Sequence, residues 1–120
     1  MIEVGEYVRN YEGIIGKAIG RDIDNHLKLD NYYDGYKYLT HIEEKEDIVK
    51  HSKNIIDLIE VGDYVNGYRI LEKTKIKNME MQICILKDNN YSDWRTINEK
   101  TLKSIVTKEQ FAQVEYRVEE

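Results

Sequence analysis

The side chains of this chain that could do chemistry are three histidines, one cysteine and a dense set of carboxylates. His26, His41 and His51 stand far apart, and neither with one another nor with Cys84 do they fall into a metal-ligand spacing. Asp22 and Asp24 invite comparison with a calcium-binding loop. The comparison fails: the sixth position would be Leu27 where the sharp turn needs Gly, and the twelfth Tyr33 where a bidentate Glu belongs. These aspartates therefore read as turn residues. Cys84 lies in the apolar run Met81-Gln82-Ile83-Cys84-Ile85-Leu86, which points to a buried, inert thiol and not to a nucleophile. No Gly-rich phosphate loop, nucleophile elbow or paired-His helix occurs. The expectation is a protein that is not an enzyme and takes no metal and no cofactor.

Binding chemistry is better represented. Tyr32, Tyr33, Asp34, Tyr36 and Tyr38 combine rigid amphipathic rings with a turn residue, the mixture that binding loops use, and form the candidate partner surface. Strand alternation would place Tyr36, Tyr38 and Thr40 on one face and Lys37, Leu39 and His41 on the other. Ordinary half-buried packing competes with this reading, because Tyr suits strands. An alternative site for a small nucleotide draws on Arg69, Tyr91, Trp94 and Arg95, which supply stacking rings and cations. A base-stacking platform for nucleic acid is a third reading, weakened by a net charge of -5. Lys73, Lys75 and Lys77 could hold an anion, but read better as the lysines that keep a sheet edge from aggregating.

The elements that must position these residues are strands. Ile2-Glu3-Val4-Gly5-Glu6-Tyr7-Val8 recurs as Ile59-Glu60-Val61-Gly62-Asp63-Tyr64-Val65, with Glu6 against Asp63 the one difference. Each copy meets Gly and then an acid before alternating Tyr and Val, as a small barrel's first strand does after a tight bend. Residues 14–19 read as a returning strand bent at Gly16 and Gly20, residues 27–29 as a short strand, and Asp34-Gly35 as a hairpin turn. Glu43-Glu44-Lys45-Glu46-Asp47 reads as a charged turn. Ile55, Ile56, Leu58 and Ile59 lie on one face of a helical turn near 53–59, with Ser52 or Asn54 to cap it. Asn66-Gly67 signals a two-residue hairpin. Strands at 79–86 and 94–97 follow, and Thr107 with Gln110 forms a capping box for a short helix near 108–113. Val114, Tyr116 and Val118 alternate as a last strand.

The expected fold is mainly β: small barrel halves of the SH3 or KOW type in tandem, or one continuous twisted barrel. A chain of 120 residues suits one compact domain, with a division into related β subdomains at 1–49 and 50–120 as the variant reading. Charged residues at 34% and hydrophobic ones at 41% argue against a disordered tail, and no apolar run is long enough to span a bilayer. The single cysteine and an N-terminus without signal-peptide character point to the cytosol.

Val49-Lys50-His51-Ser52-Lys53-Asn54-Ile55-Ile56-Asp57-Leu58-Ile59-Glu60-Val61-Gly62-Asp63-Tyr64-Val65-Asn66-Gly67 resembles a family of small, mostly uncharacterised proteins encoded by phages and prophages of Gram-positive bacteria. Ser104-Ile105-Val106-Thr107-Lys108-Glu109-Gln110-Phe111 with Glu115-Tyr116-Arg117-Val118, and Val4-Gly5-Glu6-Tyr7-Val8-Arg9, fit the same pattern, so the likeness covers about half the chain. The tyrosine-rich middle and the region 79–94 depart from it. The resemblance implies a phage protein in the host cytosol and carries no catalytic or binding residues. It leads to three functional expectations. The first is a protein that engages a host protein to interfere with antiviral defence. The second is an oligomeric sponge for a nucleotide immune signal, and the third a nucleic-acid-binding barrel module. A homo-oligomer fits the second, and none needs a membrane.

Overall fold

Both copies of the repeat close the same turn. A computed structural model describes residues 2–33, 36–42, 48–77, 79–88 and 91–114. In the first copy the Glu6 N–H donates to Glu3 O at 3.1 Å and Glu6 Oε2 accepts the Glu3 N–H at 2.6 Å. In the second, Asp63 N–H donates to Glu60 O at 3.1 Å and Asp63 Oδ2 accepts the Glu60 N–H at 2.8 Å. The glycine before each acid sits at positive φ, 98° at Gly5 and 97° at Gly62, a region costly for any residue with a Cβ. Its N–H then reaches the neighbouring strand, at Ala18 O in one copy and Ile70 O in the other. The sequence identity is therefore a structural identity: the acid is a turn clamp, and the strand begins beyond it.

The chain divides into two units, Met1–Leu58 and Ile59–Glu120. In the first, β1 (Tyr7–Asn10), β2 (Ile15–Arg21), β3 (Leu27–Tyr33) and β4 (Tyr36–Ile42) form an antiparallel meander, and β5 (Ile48–Ser52) returns to pair with β1. The order is β4-β3-β2-β1-β5. Ile2, Val8, Ala18, Leu27, Leu29 and Ile42 make its core. Gly16 is required by proximity, since a Cβ there would stand 3.1 Å from the Cβ atoms of both Asn31 and Leu29. The expected bend appears as a register shift between Ala18 and Gly20. After β5, Ser52 Oγ accepts the Asn54 N–H and bonds to Asp57, setting up the 3-10 turn Ile55–Leu58. That turn buries Ile56 and Leu58, and Leu58 O accepts the fully buried Arg9 Nη1 at 2.9 Å.

The second unit repeats the connectivity. Here β6 (Tyr64–Val65), β7 (Tyr68–Lys77), β8 (Glu80–Asp88) and β9 (Tyr91–Asn98) form the meander, and β10 (Ile105–Val106) returns to β6, giving β10-β6-β7-β8-β9. Read from its first strand, this is the order of the first sheet. Val65 pairs with Tyr68 across Asn66 and Gly67, whose φ values of 51° and 88° are those the sequence demands of this hairpin. The Asn66 side chain also ties down the approach to β10, accepting the N–H groups of Lys103 and Ser104 and donating to Thr101 O. Thr107 Oγ1 accepts the Gln110 N–H and begins helix α1 (Lys108–Val114) as the capping box predicts. Phe111 of α1 stacks on Tyr64 with ring centroids 4.4 Å apart. Val65, Ile70, Met81, Ile83, Ile85 and Ile97 are buried, and so is the free thiol of Cys84.

The fold is mainly β, as expected, but the barrel is not closed. Among the described residues β4 and β5 stand at opposite edges of the first sheet without pairing, and no strand of one unit pairs with a strand of the other, which excludes a continuous barrel. The division falls after Leu58 instead of at 49/50, because β5 is the partner of β1 and the 3-10 turn packs on it. Val114 ends α1 and does not open a strand, while Tyr116 and Val118 lie outside the described residues. The short β10, which the sequence did not announce, pairs with β6. Asp34-Gly35 and the charged turn 43–47 also lie outside the described residues. Among the described residues no helix is long and apolar enough to cross a membrane.

Candidate functional site

The tyrosine segment forms the β3–β4 hairpin. Asn31 pairs with Tyr38, Tyr32 with Lys37 and Tyr33 with Tyr36, so the backbone of four tyrosines converges on one hairpin end. Asp34 of the candidate set lies outside the described residues, and at Tyr32, Tyr33 and Tyr36 the description covers the backbone. Tyr38 is 49% exposed and the next residue, Leu39, is 55% exposed. Below them the same strand turns inward: Thr40 donates to Asn31 Oδ1 at 2.7 Å beside the buried Asn31, and Ile42 is buried in the core. Alternation thus holds from Tyr38 to Ile42, and the transition from core to surface occurs between Thr40 and Tyr38. β4 is an edge of its sheet.

The alternative set, Arg69, Tyr91, Trp94 and Arg95, does not converge. Trp94 pairs with Cys84 and, across β8, with Glu72, while Arg69 falls in the row of Leu86 and Ser92. These rows share a face. Arg95 pairs with buried Ile83 and so points to the opposite face, where its guanidinium lies 5.2 Å from the Tyr68 ring centroid. Tyr91 has Lys87 Nζ over its ring at 5.9 Å. A shallow hollow of about 550 Å³ lies instead beside Lys77, Met79, Glu80, Asn98, Glu99 and Lys100, away from all four.

The titratable groups come together in ways their spacing does not disclose. Asp22 Oδ1 accepts the N–H groups of Asp24 and His26, both at 2.9 Å, which is the turn role expected of it. Its Oδ2 lies 2.7 Å from His41 Nδ1 and 3.6 Å from His26 Nδ1. The β3–β4 register makes this meeting, because Lys28 pairs with His41 and carries it back beside the turn that precedes β3. Hydrogen bonding with His41 holds the Asp22 carboxyl below the ordinary carboxylate range, helped by the N–H groups of His26 and Asp24 and opposed by partial desolvation. Asp22, Asp24 and His26 are also the described residues whose ligand atoms, within 4.8 Å of one another, could hold a metal ion. In this structure Asp22 Oδ1 is engaged in holding the turn.

His51 meets the other clamp. Its Nδ1 lies 2.9 Å from Glu6 Oε1, and this contact, followed by the Glu3 N–H, lowers the Glu6 carboxyl from its ordinary value. In the second unit the corresponding oxygen, Asp63 Oδ1, accepts the Lys108 N–H at 2.9 Å. The acid of each repeat therefore links its own turn to the segment of the fifth strand. Lys73, placed by sequence on an edge, lies in β7, which pairs with β6 through Tyr68 and Arg69; beyond them the strand has β8 as its described partner. Lys75 and Lys77 are exposed along this edge-like stretch, whereas Lys73 Nζ donates to Ile59 O.

No protein-family model, curated protein or solved structure matches the chain.

Proposed function

We propose that the protein works by binding, not catalysis, and that its β3–β4 hairpin engages a host protein in order to interfere with antiviral defence. The observation that carries this reading is an edge strand with an exposed ring: β4 borders its sheet, and Tyr38 and Leu39 stand about half exposed on opposite faces of it. A partner segment added along such an edge gains main-chain hydrogen bonds and meets side chains from both faces. The choice of a host protein rests on the resemblance to phage proteins. Nucleotide sequestration has less support, since Arg95 and Trp94 face opposite sides of β9. Nucleic-acid binding has less support from a net charge of -5.

The test is affinity capture from host lysate with the wild-type chain and with Tyr32, Tyr33, Tyr36 and Tyr38 changed to Ser, after circular dichroism has shown that the variant keeps its sheets. Loss of the captured protein in the Ser variant, with retention in Trp94→Ala, is expected. Undiminished capture by the Ser variant overturns the assignment.

A further inference from the structure

The second edge carries a feature that the partner-binding reading does not use. β9 borders its sheet over eight residues, Tyr91-Ser92-Asp93-Trp94-Arg95-Thr96-Ile97-Asn98, and has neither the lysine nor the proline with which exposed edges are commonly blunted. Trp94 is 50% exposed and Tyr91 52%. Asn98 gives its N–H to the Thr101 hydroxyl and its carbonyl to the N–H groups of Thr101 and Leu102, so its backbone faces away from β8. The register with β8 is regular from Ser92 to Asn98. By alternation the N–H and C=O groups of Thr96, Trp94 and Ser92 also point outward.

We infer that this edge is a self-association surface, on which a second copy of the chain adds antiparallel about Trp94. Charge complementarity selects this occupant. With Trp94 opposite Trp94 on a two-fold axis, Ser92 falls opposite Thr96 and Asp93 opposite Arg95, in both directions. The outward-facing residues Ser92, Trp94 and Thr96 then exchange backbone hydrogen bonds. Asp93 and Arg95 fall at the intervening pairs, where side chains approach most closely. Within one chain Arg95 Nε already lies 3.6 Å from Asp93 Oδ2. The pairing completes an alternating ring of two acids and two guanidinium groups on one face and sets the two indoles side by side on the other. A closed two-fold contact requires a self-complementary patch, and acid-Trp-base centred on Trp94 is one.

Sedimentation equilibrium of the full chain between about 10 μM and about 1 mM tests this, a range that covers weak to moderate association. The wild type is expected to move with concentration from the 14.3 kDa chain mass toward twice that value. Asp93→Arg and Arg95→Asp, which set like charges opposite each other, should each weaken association at least about tenfold, and the double exchange should restore it. Thr96→Pro removes an outward N–H without touching the ladder to β8, and should abolish association while the circular dichroism spectrum is unchanged. A wild type that stays monomeric throughout overturns the inference, whether the edge is then bare or holds a segment of another protein. Single charge reversals that associate as the wild type does, or a double exchange that does not recover, overturn it as well.

Discussion

Glu6 and Asp63 show how one residue can mean the same thing twice and still behave differently. Both carboxylates accept the N–H three residues back, but Glu6 completes its bonding with an imidazole and the fully buried Asp63 with the Lys108 backbone. The difference predicts a pH response in the first unit. Since the Glu6 carboxyl is held below its ordinary 4.5 by His51, the Glu3 N–H and nearby Lys53, its stabilisation is fully present above that value. It is lost as pH falls through the lowered folded value. Urea midpoints of the wild type should therefore drop more steeply between about pH 5 and about pH 3 than those of Glu6→Gln, which has no carboxylate to protonate. Equal slopes would show that the clamp is not linked to folding. The acid after Gly was legible in the sequence as part of a bend. Its partners were not, because His51 and Lys108 reach it through the return of the fifth strand.

At the scale of elements, glycines separate turns from close packing. Gly5 and Gly62 were readable as turn residues from the repeat. Gly16 and Gly20 look alike in sequence, yet a Cβ on Gly16 would crowd Asn31, Leu29 and Asp30 O, whereas at Gly20 the nearest atom is the flexible Lys28 Cε at 3.5 Å. Gly16→Ala should therefore cost about 1–3 kcal/mol, the range of overpacking in a filled sheet, and Gly20→Ala much less. Denaturant midpoints at unchanged slope would measure both. A tolerated Gly16→Ala would mean that β2 and β3 can part without loss. The Asn66-Gly67 hairpin and the Thr107 cap were legible because each is a local rule satisfied within four residues. The two-residue β10 was not, since it is a strand only by virtue of pairing with β6.

On the scale of the whole chain, each unit has its own strand order and its own buried set. Leu29→Ala, which hollows the first core, should cost about 2–5 kcal/mol. Hydrogen exchange is expected to accelerate in β2 and β3 while β7, β8 and β9 keep their protection. Uniform acceleration would instead make the chain one cooperative unit. The edges belong to this scale too: β4 and β9 occupy the same position in the two strand orders, and each carries an exposed aromatic residue at an edge of its sheet among the described residues.

What the sequence determined by itself was short in range: the repeated turn, the period-two strands of the two meanders, the positive-φ hairpin, the helical turn with its Ser52 and the capped helix. Each is set by sterics and hydrogen bonds among neighbours a few residues apart. Tertiary structure alone decided that the barrel stays open, that His41 stands against Asp22, that Arg9 is buried on Leu58 O, and that Arg95 shares the face of buried Ile83 while Trp94 takes the other. Those outcomes depend on which strand pairs with which and in what register. A shift of one residue would have sent every one of those side chains to the other side of its sheet.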